Sequence, residues 1–468
     1  MKSRYKQFFQ TVIGYFLGNV FTKLVSFILL PLYTKLIDPE IYGTYGVNST
    51  IVQLTVPVAF VCIWNSVFRF AAEADDDKGR YGVISAGLPV LVVSSIICTG
   101  ALLFINQFWD LYNPGLVCVY AIANGFQYFY GYVARSMKDN KTFIISGCVN
   151  STINLMLNWI CIAYLRRGIE VLYYSYIIGT AAQVLYIEFK YRTLMHFHRE
   201  FVTGEMLRAF MKFGGPLAIN SIMQWLLTGL TQIMIAGMMG TYFNGLYSVA
   251  IKFATLISLV VSVFEYAWLE LAYDIAKNNN SASSYKRAMN MLFGVLMFGA
   301  SALMLVIKII FPYFIAAAYS EVLPIIPFIV IYASANALAS FEGTIYMSYK
   351  SVNMLTISSL LAGVTNYILL CSLIPALRFK GAMMALVIAS IIMMLIRIIG
   401  LYKKFEIGLD YKTIIYVVLL PVSAWMFYVN ESIIYDIVGI LVIGILFIFA
   451  ARSLYYTYMV PGKSRKGL

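Results

Sequence analysis

Apolar residues in this chain fall in runs of twenty or more, separated by short polar breaks, from near residue 12 to near residue 457. The runs are continuous and do not alternate, so they predict helices that cross a bilayer rather than strands of a barrel. At about 1.5 Å per residue, such runs match a hydrocarbon core of about 30 Å. About fourteen spans are expected, near 12–33, 43–68, 82–105, 115–134, 142–165, 169–189, 213–238, 242–268, 288–310, 322–348, 354–375, 381–402, 411–429 and 433–457. Between the sixth and seventh lies a basic amphipathic stretch, 190–212. The pattern predicts an all-α polytopic membrane protein.

The two halves repeat. Ile41–Val47 (IYGTYGV) matches Phe243–Val249 (FNGLYSV), with Gly43 and Gly245, Tyr45 and Tyr247, and Val47 and Val249 in register at an offset of 202. Ser136 and Lys138 match Ser348 and Lys350, and Asn154 matches Asn366, at an offset of 212. Two matches in the same order argue for a duplicated six-helix unit with parallel repeats. The expected organisation is one lobe over 1–189, the linker over 190–212, a second lobe over 213–402, and two further helices with a basic tail over 403–468.

Composition agrees with this reading. The 468 residues are 61% hydrophobic and 12% charged, about half the charged fraction of a soluble protein. The net charge of +13 does not suggest nucleic acid, because the basic residues collect in alternate loops. With the N-terminus inside, the inside loops hold Lys78, Arg80, Arg135, Lys138, Lys141, Lys277, Lys286, Lys403 and Lys404, whereas the outside loops hold few. Both termini are therefore expected in the cytoplasm. Lys2, Arg4 and Lys6 resemble the start of a secretion signal, but the following run is too long, contains a lysine and lacks a small-residue cleavage site. The first run is expected to be a retained span.

Six scattered cysteines read as free thiols, with Cys62, Cys98, Cys148 and Cys161 in apolar runs. His196 and His198 lie in the basic linker two residues apart, which does not suit a metal site on one helical face. No phosphate loop, nucleophile elbow or zinc motif is present, so the sequence suggests neither an enzyme nor a cofactor.

The candidate chemistry lies in polar residues within the spans. Lys23 sits near the middle of the first, with Asn19 one turn before it. A cation at bilayer depth costs roughly 2.5–3.5 kcal/mol, so Lys23 either faces a cavity or is a structural, paired lysine. The second span offers Asn65 and Arg69, the latter near the inside end. The fifth offers Asn150, Asn154 and Asn158. The seventh offers Asn220, Gln224, Thr228 and Gln232, and the eighth Ser248, Lys252, Thr255, Ser262 and Glu265. Their spacings of three, four or seven mark single helix faces. Such stripes are either interhelical hydrogen-bond contacts, worth roughly 0.6 kcal/mol each, or the lining of a polar cavity. Lys308 lies close enough to an outer end to snorkel. Glu342 and Arg397, at similar depth on the tenth and twelfth spans, suit either a structural pair or a coupling role.

The run LVSFILLPLYTKLIDPEIYGTYGV carries a resemblance. An apolar helix ends in a proline, and a short loop leads to the tyrosine–glycine–x–tyrosine start of the next span. This resembles the polysaccharide flippases of the MOP superfamily, the Wzx-type O-antigen and capsule repeat-unit transporters, which are related to MATE exporters and MurJ lipid II flippases. The resemblance implies a MATE-like fold in a bacterial cytoplasmic (inner) membrane. It implies alternating-access translocation of an undecaprenyl-diphosphate-linked oligosaccharide, with membrane lipids and other polysaccharide-assembly membrane proteins as partners. In such flippases basic residues on the first and eighth helices bind the diphosphate. That role carries over to Lys23 and Lys252, and more weakly to Arg69, while Asn19, Asn65, Asn220, Gln224, Thr228, Ser248 and Thr255 would face the sugar. Deep basic charges favour an anionic head group over the cations of a MATE-type multidrug exporter. A lipid II or sporulation-type flippase remains open. A membrane polymerase or glycosyltransferase would need larger catalytic loops than this chain has.

Overall fold

A computed structural model of the chain describes residues 27–163, 168–276, 281–349, 351–429 and 432–458. The protein is an all-α polytopic membrane protein. Among the described residues seven helices are long and apolar enough to cross a membrane, and a bent pair of helices adds an eighth. The chain divides into two compact units, 1–248 and 249–468.

The first unit begins with α1 (Leu30–Leu36), α2 (Pro39–Ala59) and α3 (Ile63–Glu73). The expected second span is thus two helices, bent by 44°. The break lies just after Pro57, whose ring cannot continue the hydrogen-bond ladder, and Val61 and Cys62 turn into the left-handed region at φ 47°. Then come α4 (Asp77–Ile105), α5 (Pro114–Ser136), α6 (Asn140–Ala163) and α7 (Glu170–Tyr191). With 23 and 22 residues, α5 and α7 are long enough to span, about 33–35 Å. They are more polar than their neighbours because they carry the side-chain network described below.

Of the basic linker 190–212, residues 192–203 form a loop with one short 3-10 turn at Arg199–Phe201, and the rest belongs to α7 and to α8 (Gly204–Met239), whose Thr203 cap accepts from the Met206 amide at 3.2 Å. The linker docks on α4. The Phe201 ring lies over Gly82, where a Cβ would come within 2.4 Å of it, and the His196 ring stacks on Tyr81 at 4.7 Å. No group of three or more His, Cys, Asp or Glu residues suited to a metal occurs among the described residues. At the α5–α6 corner, Asp139 gathers Lys190 (2.6 Å), Tyr191 (3.0 Å) and both the amide and hydroxyl of Thr142. Partial burial raises its pKa, but these hydrogen bonds outweigh burial and hold the carboxyl well below the usual carboxylate range.

The boundary between units falls inside α9 (Thr241–Ala276); α8 packs on α2 and α3, and the start of α9 meets α2 through Gly43 and Gly245. Gly214 of α8 lies against the Val61 carbonyl at the α2–α3 break, where a Cβ would approach to 2.1 Å. Ser66 donates to the Phe210 carbonyl at 3.1 Å.

The second unit holds the rest of α9, α10 (Ser281–Phe314), a 3-10 stretch (Ala317–Ile325), α11 (Ile326–Ser348) and α12 (Val352–Phe405). α12 comprises the two expected spans. Arg378 adopts φ 50° and ψ −130°, and a Cβ on Gly381 would lie 2.1 Å from the Leu373 carbonyl oxygen. In a continuous helix residues eight apart are about 12 Å apart, so the chain reverses there. The C-terminal part is α13 (Tyr411–Ile414), a 3-10 turn, α14 (Leu419–Val429) and α15 (Ile433–Tyr458). These close on α10 through Phe298, Leu305, Ile443 and Ala450. Lys308, which the sequence suggests snorkels, instead forms a buried ion pair with Asp436 of α15 at 3.1 Å. The six cysteines are free; Cys62 and Cys98 are buried as expected, whereas Cys148 and Cys161 on α6 are only half-buried.

Candidate functional site

In the first unit the polar residues of α2, α5, α6 and α7 converge. On α2, Asn48 is fully buried and donates to the Tyr173 hydroxyl at 2.8 Å and the Tyr112 carbonyl at 3.4 Å. One residue on, the Ser49 hydroxyl meets that of Tyr120 at 3.5 Å. Asn124 donates to the Tyr176 hydroxyl at 2.8 Å, and that hydroxyl donates in turn to the Gln127 side-chain oxygen. Gln127 continues to Gln183, which also accepts from Asn150 at 2.8 Å. The residues of each helix follow 3–4-residue spacing, such as Tyr120, Asn124 and Gln127 or Tyr173 and Tyr176, so each helix presents one face.

Rings fill the space between the amides. Tyr45 meets Tyr173 edge-on at 5.1 Å, Tyr120 meets Tyr173 at 5.5 Å, and Tyr120 meets Tyr176 at 4.8 Å. Trp64 stacks on the exposed Tyr128 at 4.8 Å. The deep side of the cluster is buried, while Tyr45, Ser49, Asn124, Gln127 and Tyr176 are half-buried and Gln53 is exposed. Ring faces beside oriented hydroxyls and amides are the chemistry that recognises sugars, which present C–H faces and hydroxyl edges together.

The asparagine stripe of α6 acts as a contact between helices. Asn150 reaches Thr180 and Gln183, and Asn158 donates to Ser175 at 2.7 Å, all on α7. Of the residues singled out in the sequence, Gln232 and Ser248 come together at 2.9 Å, and Gln232 also accepts from Thr50 of α2. Ser248 donates to the Asn244 carbonyl at 2.8 Å. Asn65, Asn220 and Thr228 are half-buried and Gln224 is exposed. Arg69 is exposed at the end of α3, bound to Glu73 at 3.3 Å and stacked over Phe213 at 4.5 Å. It is not part of the cluster. Lys23 and Asn19 lie outside the described residues, as does the Glu265 side chain. In the second unit Lys252 is half-buried on α9, and Thr255 directs its hydroxyl to the Lys252 carbonyl at 2.6 Å.

Glu342 and Arg397, which by depth suit either a structural pair or a coupling role, form no hydrogen bond to each other. Arg397 donates instead to Ser358 (2.8 Å), Ser359 (2.9 Å) and the Ala339 carbonyl (2.6 Å).

The fold resembles that of an inward-facing multidrug resistance MATE family transporter of the MOP superfamily, with a TM-score of 0.65 and 12% identity over 88% of this chain and 96% of that one. It equally resembles the lipid II flippase MurJ in an inward closed conformation, with a TM-score of 0.66 and 14% identity over 97% and 100% of the two chains. A MOP superfamily transporter from Pyrococcus furiosus Vc1 aligns with a TM-score of 0.56 and 11% identity over 90% and 96%. At these identities the likeness is one of fold alone. Residues 8–269, more than half the chain, match the family described as polysaccharide biosynthesis protein, and the chain belongs to that family. No curated protein matches it.

Proposed function

We propose that the protein is a flippase that moves an undecaprenyl-diphosphate-linked oligosaccharide from the inner to the outer leaflet of a bacterial cytoplasmic membrane, for surface polysaccharide assembly. The carrying observation is the family match over residues 8–269, a stretch that includes Lys23, Lys252 and the whole amide–tyrosine cluster. In this reading the two lysines, on the first and eighth spans, hold the diphosphate. Each is a compact point charge with several donors, suited to phosphate oxygens without fixing one orientation. The cluster around Tyr120, Asn124, Gln127 and Tyr176 meets the sugar, and the polyprenyl tail stays in lipid. The two repeats act as two six-helix lobes with both termini in the cytoplasm, and neighbouring polysaccharide-assembly proteins receive the product.

The half-buried amides test the sugar assignment. Replacing Asn124 and Gln127 together with alanine removes about two hydrogen bonds worth about 0.5–1.5 kcal/mol each, so export per copy of protein is expected to fall by about tenfold. Quantifying surface glycan against membrane-embedded protein measures this. Undiminished export in the double variant would remove the sugar from this cluster.

A further inference from the structure

Glu342 lies on α11, one of the most enclosed helices of the second unit. Its side chain is 0% exposed, and neither carboxylate oxygen receives a hydrogen bond. A buried ionised carboxylate left without any donor is strongly disfavoured, and the cheapest remedy is to accept a proton. The candidate counter-charge, Arg397, is close. A Cβ on Gly343, the next residue, would lie 3.4 Å from Arg397 Nη1. Yet Arg397 already uses three of its five N–H groups on Ser358, Ser359 and the Ala339 carbonyl. It is satisfied without the carboxylate.

The other described charges around α11 are engaged elsewhere or distant. Tyr346 donates its hydroxyl to the Arg397 carbonyl at 2.9 Å. On α10, Lys286 binds Asp410 and Lys308 binds Asp436. On α14, Tyr428 donates to the Pro324 carbonyl. α9 touches α11 where Phe264 packs on Phe341, about 18 Å along the helix from Lys252. A hard metal cation does not suit the position, because it needs a shell of oxygens and would face a guanidinium. A proton needs no shell.

We propose that Glu342 is a proton-binding site, protonated in this conformation, whose release of the proton switches Arg397 from Ser358, Ser359 and Ala339 to the Glu342 carboxylate. Before release the pair is a neutral carboxylic acid beside a guanidinium cation. Release breaks the Glu342 O–H bond, passes the proton to water, and leaves a carboxylate that the guanidinium can grip with two parallel N–H groups. Two arrangements of Arg397, selected by one proton, give α11 and α12 a two-state contact. As a driving step for translocation this rests on the flippase reading; as a binding site it does not.

The test uses the full chain in lipid nanodiscs at neutral pH. Infrared difference spectra of wild type minus Glu342→Gln are expected to show one protonated-carboxyl C=O stretch in the wild type that the variant lacks. Glutamine imitates the protonated acid in shape and charge, so the variant is expected to keep the wild-type melting temperature. Identical carboxylic-acid regions in the two spectra, or a variant that melts well below wild type because the charge is needed, would overturn the proposal. Both readouts are made without transport, so they fail or succeed independently of the flippase assignment.

Discussion

Replacing Lys23 and Lys252 together with alanine is expected to abolish export of the lipid-linked oligosaccharide while the protein still accumulates in the membrane. The argument starts from cost. A lysine within a membrane span is disfavoured by roughly 2.5–3.5 kcal/mol, and the apolar pattern of the sequence leads to the expectation of one near the middle of the first span and another on the eighth. Both fall inside the stretch that matches the polysaccharide biosynthesis family. Neutralising one cation of a two-cation phosphate site weakens an interaction with a charged group, worth about 1.5–3 kcal/mol, which is about ten- to a hundredfold in binding. Neutralising both leaves a dianionic head group to enter the protein uncompensated. Arginine at either position keeps the charge and is expected to retain most of the export. Single alanines should fall between. Surface glycan and intracellular lipid-linked intermediate, measured in the same cells, separate loss of transport from loss of supply. Normal glycan in the double variant would remove the diphosphate from these residues.

The second large effect is expected at Gly43 and Gly245. A Cβ on Gly43 would sit 1.8 Å from the carbonyl oxygen of Thr241, and a Cβ on Gly245 would sit 1.9 Å from that of Pro39. Shifting 39 and 43 by the repeat offset of 202 gives 241 and 245, so each half of this contact is the image of the other. The two copies of the duplicated motif therefore cross on their own glycines. Asn244 locks the crossing by donating to the Gly43 carbonyl at 2.7 Å. Just below, Gly46 leaves room for Gln232 and Ser248. Neither clash can be relieved by rotating a side chain, because the obstacle is backbone. Overpacking of this kind costs about 1–3 kcal/mol even where neighbours can adapt. Gly43→Val and Gly245→Val are each expected to open this crossing. In a background without other cysteines, Ser248→Cys, buried in the parent, should then react at least about tenfold faster with a water-soluble maleimide, as a modest shift in a two-state equilibrium produces. Unchanged labelling and an unchanged melting temperature would show that the helices do not need this contact.

That crossing also shows what could be read from the amino-acid order. The repeated motif was legible because matched glycines, tyrosines and valines keep register, and the long apolar runs identify helices by length alone. The sequence did not show that the repeated glycines touch one another, since periodicity assigns a residue to a face but not to a partner. The same limit hid the amide–tyrosine cluster. Asn48 and Tyr173 are 125 positions apart, and tyrosine is so common in membrane helices that its abundance carried no signal. The bend at Val61 and Cys62 was signalled only by Pro57, one of several prolines at depth. At Arg397 the depth of two opposite charges left a structural pair and a coupling role both open. Two serines about two turns into α12 and a backbone carbonyl, none conspicuous in sequence, hold the guanidinium instead. Lys308 likewise found a carboxylate 128 positions away, on α15.

Reconstitution tests the central claim most directly. Purified full-length protein would be placed in liposomes containing a fluorescent undecaprenyl-diphosphate oligosaccharide, and the fraction of oligosaccharide accessible to an external glycosidase followed with time. The expected result is that the protected inner-leaflet pool becomes accessible with the wild-type protein and stays protected with the Lys23→Ala, Lys252→Ala variant. An inner pool that stays protected with wild-type protein, in vesicles where the same preparation moves a lipophilic cation, would contradict the account and place the chain among exporters of small cations.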